Sequence, residues 1–181
     1  KRLVAVTGDV TKPMLGLTPA QRKALAGKVK HFFHLAAIYD LAADADSQTA
    51  ANVDGTRHAL ELASALKAGC FHHASSIAVA GLYPGVFRED MFAEAENLDH
   101  PYFRTKHDAE ALVREAKIKH RIYRPAIVLG SSKTGEIDKI DGPYYFFRAL
   151  KKLREALPAW MPTIGLEGGR VNMWPVDFVV A

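Results

Sequence analysis

The chain has 181 residues, 49% hydrophobic and 24% charged, a globular composition with enough apolar material for one sizeable core. Its formal net charge of +4 is spread along the chain, with only short clusters such as Lys151-Lys152-Leu153-Arg154, which suits an anionic ligand and argues against a nucleic-acid-binding stripe. No apolar run approaches the roughly 20 residues that span a bilayer, no signal peptide is visible, and the single cysteine, Cys70, excludes an intrachain disulfide framework, so a cytoplasmic setting is expected.

In chain order, residues 2–7 (RLVAVT) read as a buried strand. Residues 18–28 (TPAQRKALAGK) read as a short helix, with Thr18 as cap, Pro19 in the first position and Gly27 as the stop. HFFHLAAIY, 31–39, is a second buried strand running into a loop. From about Ser47 to Lys67 the apolar positions Val53, Ala59, Leu60, Leu62, Ala63 and Leu66 keep a helical period that ends at Gly69. FHHASSIAVA, 71–80, is a third strand. A loop through Gly81, Pro84 and Gly85 leads to a helix that starts near residue 100, with Asp99 as its expected cap and Pro101 in its first turn. RIYRPAIVLG, 121–130, is a fourth strand. Residues 144–149 with Leu150, Leu153 and Leu157 form an apolar helical face, which by the usual burial of such faces is expected to be core. The chain opens inside one apolar run and closes in another, VDFVVA, so a segment of a longer protein is expected.

Strands that are apolar almost throughout and separated by helices predict a parallel sheet covered on both faces, a doubly wound α/β domain. Ligands of such sheets bind at the carboxyl ends of the strands. The residues there are Gly8 and Asp9, then Ala36, Ala37 and Tyr39, then Ser75 and Ser76, then Pro125 and Ala126. Gly8-Asp9 lacks the further glycines of a pyrophosphate-binding turn. It reads either as a turn with a capping aspartate or as a carboxylate placed to accept from an adenine amino group. The small side chains of His34-Leu-Ala-Ala37 would let a ribose or phosphate approach the backbone, although the segment reads equally as the end of a core strand. Tyr102 and Lys106, four residues apart, share one helix face. An ammonium beside a phenol favours the phenolate and brings the phenol towards a working proton donor. The strand histidines, His31/His34 and His72/His73, form pairs that do not point to one side, so no metal site is expected. Cys70 reads as a buried filler.

Ser76 with Tyr102-Phe-Arg-Thr-Lys106 resembles the catalytic Ser–Tyr–Lys set of the extended short-chain dehydrogenase/reductases. Gly8-Asp9-Val10 resembles that family's adenine-side turn, His34-Leu-Ala-Ala37 its segment after the fourth strand, Asn52-Val-Asp-Gly-Thr56 its N-V-x-G-T helix signature, and Tyr123-Arg-Pro-Ala126 its R-P strand end beside the nicotinamide. The family's glycine-rich first turn and first two strands are missing, so the chain corresponds to the fold from its third strand onward. Further segments, above all KTGEIDKIDGPYYFFRAL and LPAWMPTIGLEGGRVNMWPVDFVV, resemble the bacterial fatty acyl-CoA (thioester) reductase branch.

The resemblance implies a Rossmann-like nucleotide-binding domain over 1–135 and the start of a substrate-binding region over 136–181. It implies an oxidoreductase that uses NADPH, with NAD(H) not excluded, to reduce a long-chain acyl-CoA to the aldehyde, with a second reduction to the alcohol left open. Ser76, Tyr102, Lys106 and Asn52 would be catalytic, and Gly8, Asp9, Val10, Ala36, Ala37, Tyr39, Pro125 and Ala126 would contact cofactor. Peripheral membrane contact and further domains are compatible with it, and nucleic acid is not an expected partner. The alternatives are a sugar-nucleotide epimerase or dehydratase with tightly held NAD, or a cofactor-sensing scaffold without catalysis.

Overall fold

The computed structural model describes residues 3–40, 43–137, 142–158 and 172–181. They form two compact units, Lys1–Pro125 and Ala126–Ala181. The architecture is α/β and Rossmann-like, with parallel sheets.

The first unit is built on three parallel strands in the order β1 (His31–His34), β2 (Cys70–Ala74), β3 (His120–Tyr123). Parallel neighbours need long crossovers. Here they are α2 (Ala45–Gln48), a π-helical stretch (Thr49–Asp54) and α3 (Gly55–Ala65) between β1 and β2, and α4 (Pro101–Glu115) between β2 and β3. Helix α1 (Pro19–Leu25) precedes β1. Its cap is reciprocal: the Thr18 hydroxyl accepts from the Gln21 amide, and the Gln21 side chain accepts from Thr18 N–H.

The apolar period of α3 buries Ala59, Leu62 and Ala63, and Leu66 just beyond its end is buried too. Ala59 and Ala63, with Val113 of α4, close over Phe71 of β2, flanked by Phe32 and Ile122 of the outer strands. Phe71 is fully buried, worth roughly 1.5–3 kcal/mol of transfer free energy. Gly55 stands where the start of α3 meets Val10, and a Cβ there would lie 2.5 Å from Val10 Cγ2. On the opposite face of the sheet Phe33 stacks on His72 (4.2 Å) and His72 on Tyr123 (5.9 Å), while Phe33 and Tyr123 stay exposed among the described residues.

In the second unit β4 (Ile127–Leu129) pairs in parallel with β5 (Met173–Pro175), with α5 (Pro143–Ala156) and α6 (Val176–Val179) beside them in sequence. Asp177 accepts from Ser132 N (2.8 Å) and Ser132 Oγ (2.7 Å), and Gly130 N–H donates to Tyr144 Oη (2.7 Å).

Several expected elements differ. Residues 3–7 form no strand: Leu3 and Val4 are exposed, and among the described residues no strand lies alongside to take their backbone hydrogen bonds. The run 121–130 is two strands in two sheets, broken at Arg124-Pro125-Ala126, where Pro125 has no N–H for a ladder. The strand expected over 71–80 stops at Ala74 and turns into a 3₁₀ segment, Ile77–Ala80. The helix expected to end at Gly69 stops at Ala65, with Leu66 as its C-terminal cap and Lys67 in the left-handed region at φ 54°. The cap of α4 is His100, whose Nδ1 accepts from Tyr102 N (3.1 Å), rather than Asp99, which pairs with Arg104 (3.9 Å). The α5 face expected to be core is exposed: none of its described residues is buried.

Candidate active site

Because β1, β2 and β3 run the same way, their carboxyl ends share one edge of the sheet. Beyond them lie Ala36 and Ala37, Ser75 and Ser76, and Arg124 and Pro125. Ser76 caps the 3₁₀ segment: its Oγ accepts from Ala78 N (3.1 Å), which leaves the hydroxyl proton for another acceptor. Ile77 N–H donates to the Pro125 carbonyl (3.2 Å), fastening the Ser76 turn to the end of β3. The 3₁₀ segment is closed by Gly81 at φ 61°, where a Cβ would sit 1.9 Å from the Glu96 carbonyl oxygen, so only glycine fits.

Helix α4 delivers the next two groups. Pro101 occupies its first turn, and Tyr102 follows, half-buried. One turn on, Lys106 is buried and donates from Nζ to the Ala74 carbonyl (2.8 Å). Burial lowers the Lys106 pKa to about 8, against the opposing pull of the nearby Glu110 carboxylate, so the ammonium keeps its charge at neutral pH. An ammonium has three donors, and this contact uses one.

Asn52 lies in the π-helical stretch, a geometry that often marks functional positions. Its Oδ1 accepts from Ile38 N (2.8 Å), and its Nδ2 donates to Ile38 O (3.0 Å) and Thr105 Oγ1 (3.2 Å). One amide therefore holds the loop that carries Ala36, Ala37 and Tyr39 and also touches α4 beside Lys106. Behind it, the Thr56 hydroxyl donates to Asn52 O (2.6 Å), so the His34 Nε2–Thr56 Oγ1 contact (3.1 Å) needs His34 as donor in its Nε2–H form. Burial, then the charge of Lys106, lowers the pKa of His34 to about 4 and of His73 to about 3, and both are neutral at pH 7.

The remaining residues expected to form the site are placed as follows. Thr7, Gly8, Asp9, Val10, Lys12 and Gly16 line an open, mainly polar hollow. Within it Asp9 Oδ1 already accepts from Thr11 N (3.0 Å) and Thr11 Oγ1 (2.7 Å), and its Oδ2 faces Lys12 Nζ (3.3 Å). The hydrogen bonds from Thr11 hold the Asp9 carboxyl below its ordinary pKa. Val10 packs on Gly55, and its carbonyl lies 3.1 Å from His58 Nδ1. Tyr39 is 57% exposed. Ala126 opens the second unit.

The residue that sequence reasoning missed is Glu110. It is fully buried, and its carboxylate accepts from Ser75 Oγ (2.6 Å), Arg114 Nε (2.8 Å) and Arg124 Nη2 (2.6 Å). Burial pushes its pKa up, but the hydrogen bonds from Arg124, Ser75 and Arg114 outweigh that and hold it below the ordinary carboxylate value. A signal for it exists in the helical period. Buried α4 positions run Thr105, Lys106, Ala109, Glu110, Val113, and two charges on a buried stripe require partners.

Comparisons with known proteins identify the family. The NAD_binding_4 family model, described as "Male sterility protein", matches residues 1–181. The chain belongs to this family, an NAD(P)-binding domain of the extended short-chain dehydrogenase/reductase type. The crystal structure of the terminal R domain from the myxalamid PKS-NRPS biosynthetic pathway superposes with a TM-score of 0.76 at 31% identity, over 96% of this chain and 43% of that one. One of the linear gramicidin synthase proteins of Brevibacillus parabrevis is 31% identical over 98% of this chain and 4% of its own length. A putative fatty acyl-CoA reductase of Drosophila melanogaster is 30% identical over 83% of this chain and 35% of its own length. The chain thus spans less than half of each of these relatives.

Proposed function

We propose that this chain is part of a reductase that converts an acyl thioester to an aldehyde with NADPH, and that Ser76, Tyr102, Lys106 and Asn52 carry the reaction. One observation supports this most directly. The Lys106 ammonium is bonded to the Ala74 carbonyl, two residues before Ser76, and Tyr102 stands one turn ahead on the same helix. The residues suit a nicotinamide cofactor: Lys106 has two donors left for ribose hydroxyls, and the backbone after β1 is small-chained at Ala36 and Ala37 and fixed by Asn52. Gly8, Asp9 and Val10 would serve the adenine side, and Tyr39, Pro125 and Ala126 the rest. Residues 1–135 would form the nucleotide-binding part, and 136–181 the start of the substrate region.

When bound, the nicotinamide would supply the hydride. The protein's part is to bind the carbonyl and manage its charge. Ser76 Oγ–H and Tyr102 Oη–H donate to the thioester oxygen, where negative charge grows as the carbonyl carbon is attacked. Tyr102 gives up its proton to that oxygen, and Lys106 stabilises the phenolate left behind. When the resulting hemithioacetal collapses, the carbon–sulfur bond breaks, thiol leaves and the aldehyde remains.

For the acyl group we propose a long chain linked to coenzyme A, a reading supported by the sequence resemblance, by the name of the Drosophila relative and by the exposed apolar face of α5. The synthetase relatives favour a second reading, a thioester carried on a synthetase. The test is NADPH consumption by the full-length protein with palmitoyl-CoA and with a carrier-bound acyl thioester, followed by free-thiol release. A redox-neutral conversion of a sugar nucleotide, with no thiol released, would contradict the proposal.

A further inference from the structure

Lys106 and Glu110 stand one turn apart on α4, and their partners are consecutive residues. Lys106 holds the Ala74 carbonyl and Glu110 holds the Ser75 hydroxyl, immediately before Ser76. We propose that Glu110 is a positioning residue whose grip on Ser75 sets the register of α4 against the end of β2, and with it the placement of Tyr102 and Lys106 relative to Ser76. The inference rests on the reductase reading above.

The carboxylate is suited to this task because it draws donors from three elements. Ser75 comes from the end of β2, Arg114 from α4 itself, and Arg124 from the end of β3. Arg124 also reaches the carbonyls of Arg88 (3.1 Å) and Met91 (2.8 Å), so one guanidinium ties the 88–91 segment to the same anchor. Apolar packing tolerates small slides of a helix, whereas a buried carboxylate with this set of donors is satisfied in one position only. The contact also separates the two serines. Ser75 donates its proton to Glu110, so Ser76 is the one free to donate to substrate.

Three titratable groups interact with the Lys106 charge: Glu110 on its own helix, which favours the ammonium, and His34 of β1 and His73 of β2, which that ammonium helps to keep neutral. The two variants therefore differ in what they should do. Ser75→Ala removes the grip and leaves every charge in place. In the full-length enzyme it should lower kcat about 10-fold, as expected for a small misplacement of reacting groups, with NADPH Kd changed by less than about twofold and the pH profile unmoved. Glu110→Gln also removes the negative charge that favours the Lys106 ammonium, so the alkaline limb of kcat should move to lower pH as well. Should Glu110→Gln fail to fold, Ser75→Ala decides alone. Wild-type kcat in Ser75→Ala, even with a lowered melting temperature, would make the contact merely structural and overturn the proposal, while leaving the reductase reading intact provided Tyr102→Phe is inactive. Full activity in Tyr102→Phe would overturn both.

Discussion

Helices α4 and α5 begin alike and end up in opposite surroundings. Each has proline in its first turn followed by tyrosine: His100-Pro101-Tyr102-Phe103 and Gly142-Pro143-Tyr144-Tyr145. In α4 the buried residues include a lysine and a glutamate. In α5 the exposed residues include Tyr145 (67%), Phe146 (71%) and Leu150 (58%). Hydropathy alone would assign them the other way round. What decides is what waits on the other side. Lys106 and Glu110 meet a carbonyl, a hydroxyl and two guanidinium groups, so their desolvation is offset by charge-assisted hydrogen bonds. No described residue buries the aromatic face of α5.

That contrast can be broken experimentally, starting where the effect is largest. Arg124→Ala leaves the Glu110 carboxylate buried with its strongest partner gone, and should destabilise the protein by about 3–5 kcal/mol in urea unfolding. Asn52→Ala removes three hydrogen bonds that join the loop after β1 to α4, and should cost about 1–3 kcal/mol and weaken cofactor binding, read by calorimetry. Acid titration of stability should show His34 and His73. Below pH 6.5 the unfolded chain takes up protons that the folded histidines refuse until about pH 4 and about pH 3. Stability should therefore fall as pH drops through that window, with their contribution fully present above it. On α5, Phe146→Ser should shift stability by less than about 0.5 kcal/mol. Replacing Glu155 by Gln, which removes the exposed pair with Lys151, should leave the unfolding midpoint unmoved, although that pair has the same i,i+4 spacing as the buried Glu110–Arg114.

Much of the fold was legible in the sequence because it depends on local signals. Thr18 and Pro19 start α1, the period through Ala59, Leu62 and Ala63 makes α3, and the apolar run 70–74 makes the central strand. What was not legible depends on partners distant in sequence. The apolar residues 3–7 resemble β2 in pattern, but a strand also needs a neighbour, and among the described residues they have none. Pro125 divides a continuous apolar run into strands of two different sheets. The side chain of His100 competes with Asp99 for the cap, and propensity alone favours the aspartate.

The candidate site divides in the same way. Spacing along one helix and position at a strand end singled out Tyr102, Lys106 and Ser76 as candidates, and the resemblance to the Ser–Tyr–Lys set of the extended short-chain dehydrogenase/reductases gave them roles. The structure adds the Lys106–Ala74 contact and the bonds of Asn52 to Ile38 and Thr105. Glu110 escaped notice because its three donors come from positions 75, 114 and 124, and only the fold brings them to one carboxylate.

The central claim is that Tyr102 is the proton donor of a thioester reduction. It is tested most directly by following NADPH oxidation and thiol release together in the full-length protein, wild type beside Tyr102→Phe, with acyl-CoA or carrier-bound acyl thioester. The wild type should release one thiol per aldehyde formed, and Tyr102→Phe should lose about 10²–10⁴ in kcat with NADPH affinity nearly unchanged. Wild-type turnover in Tyr102→Phe would contradict it.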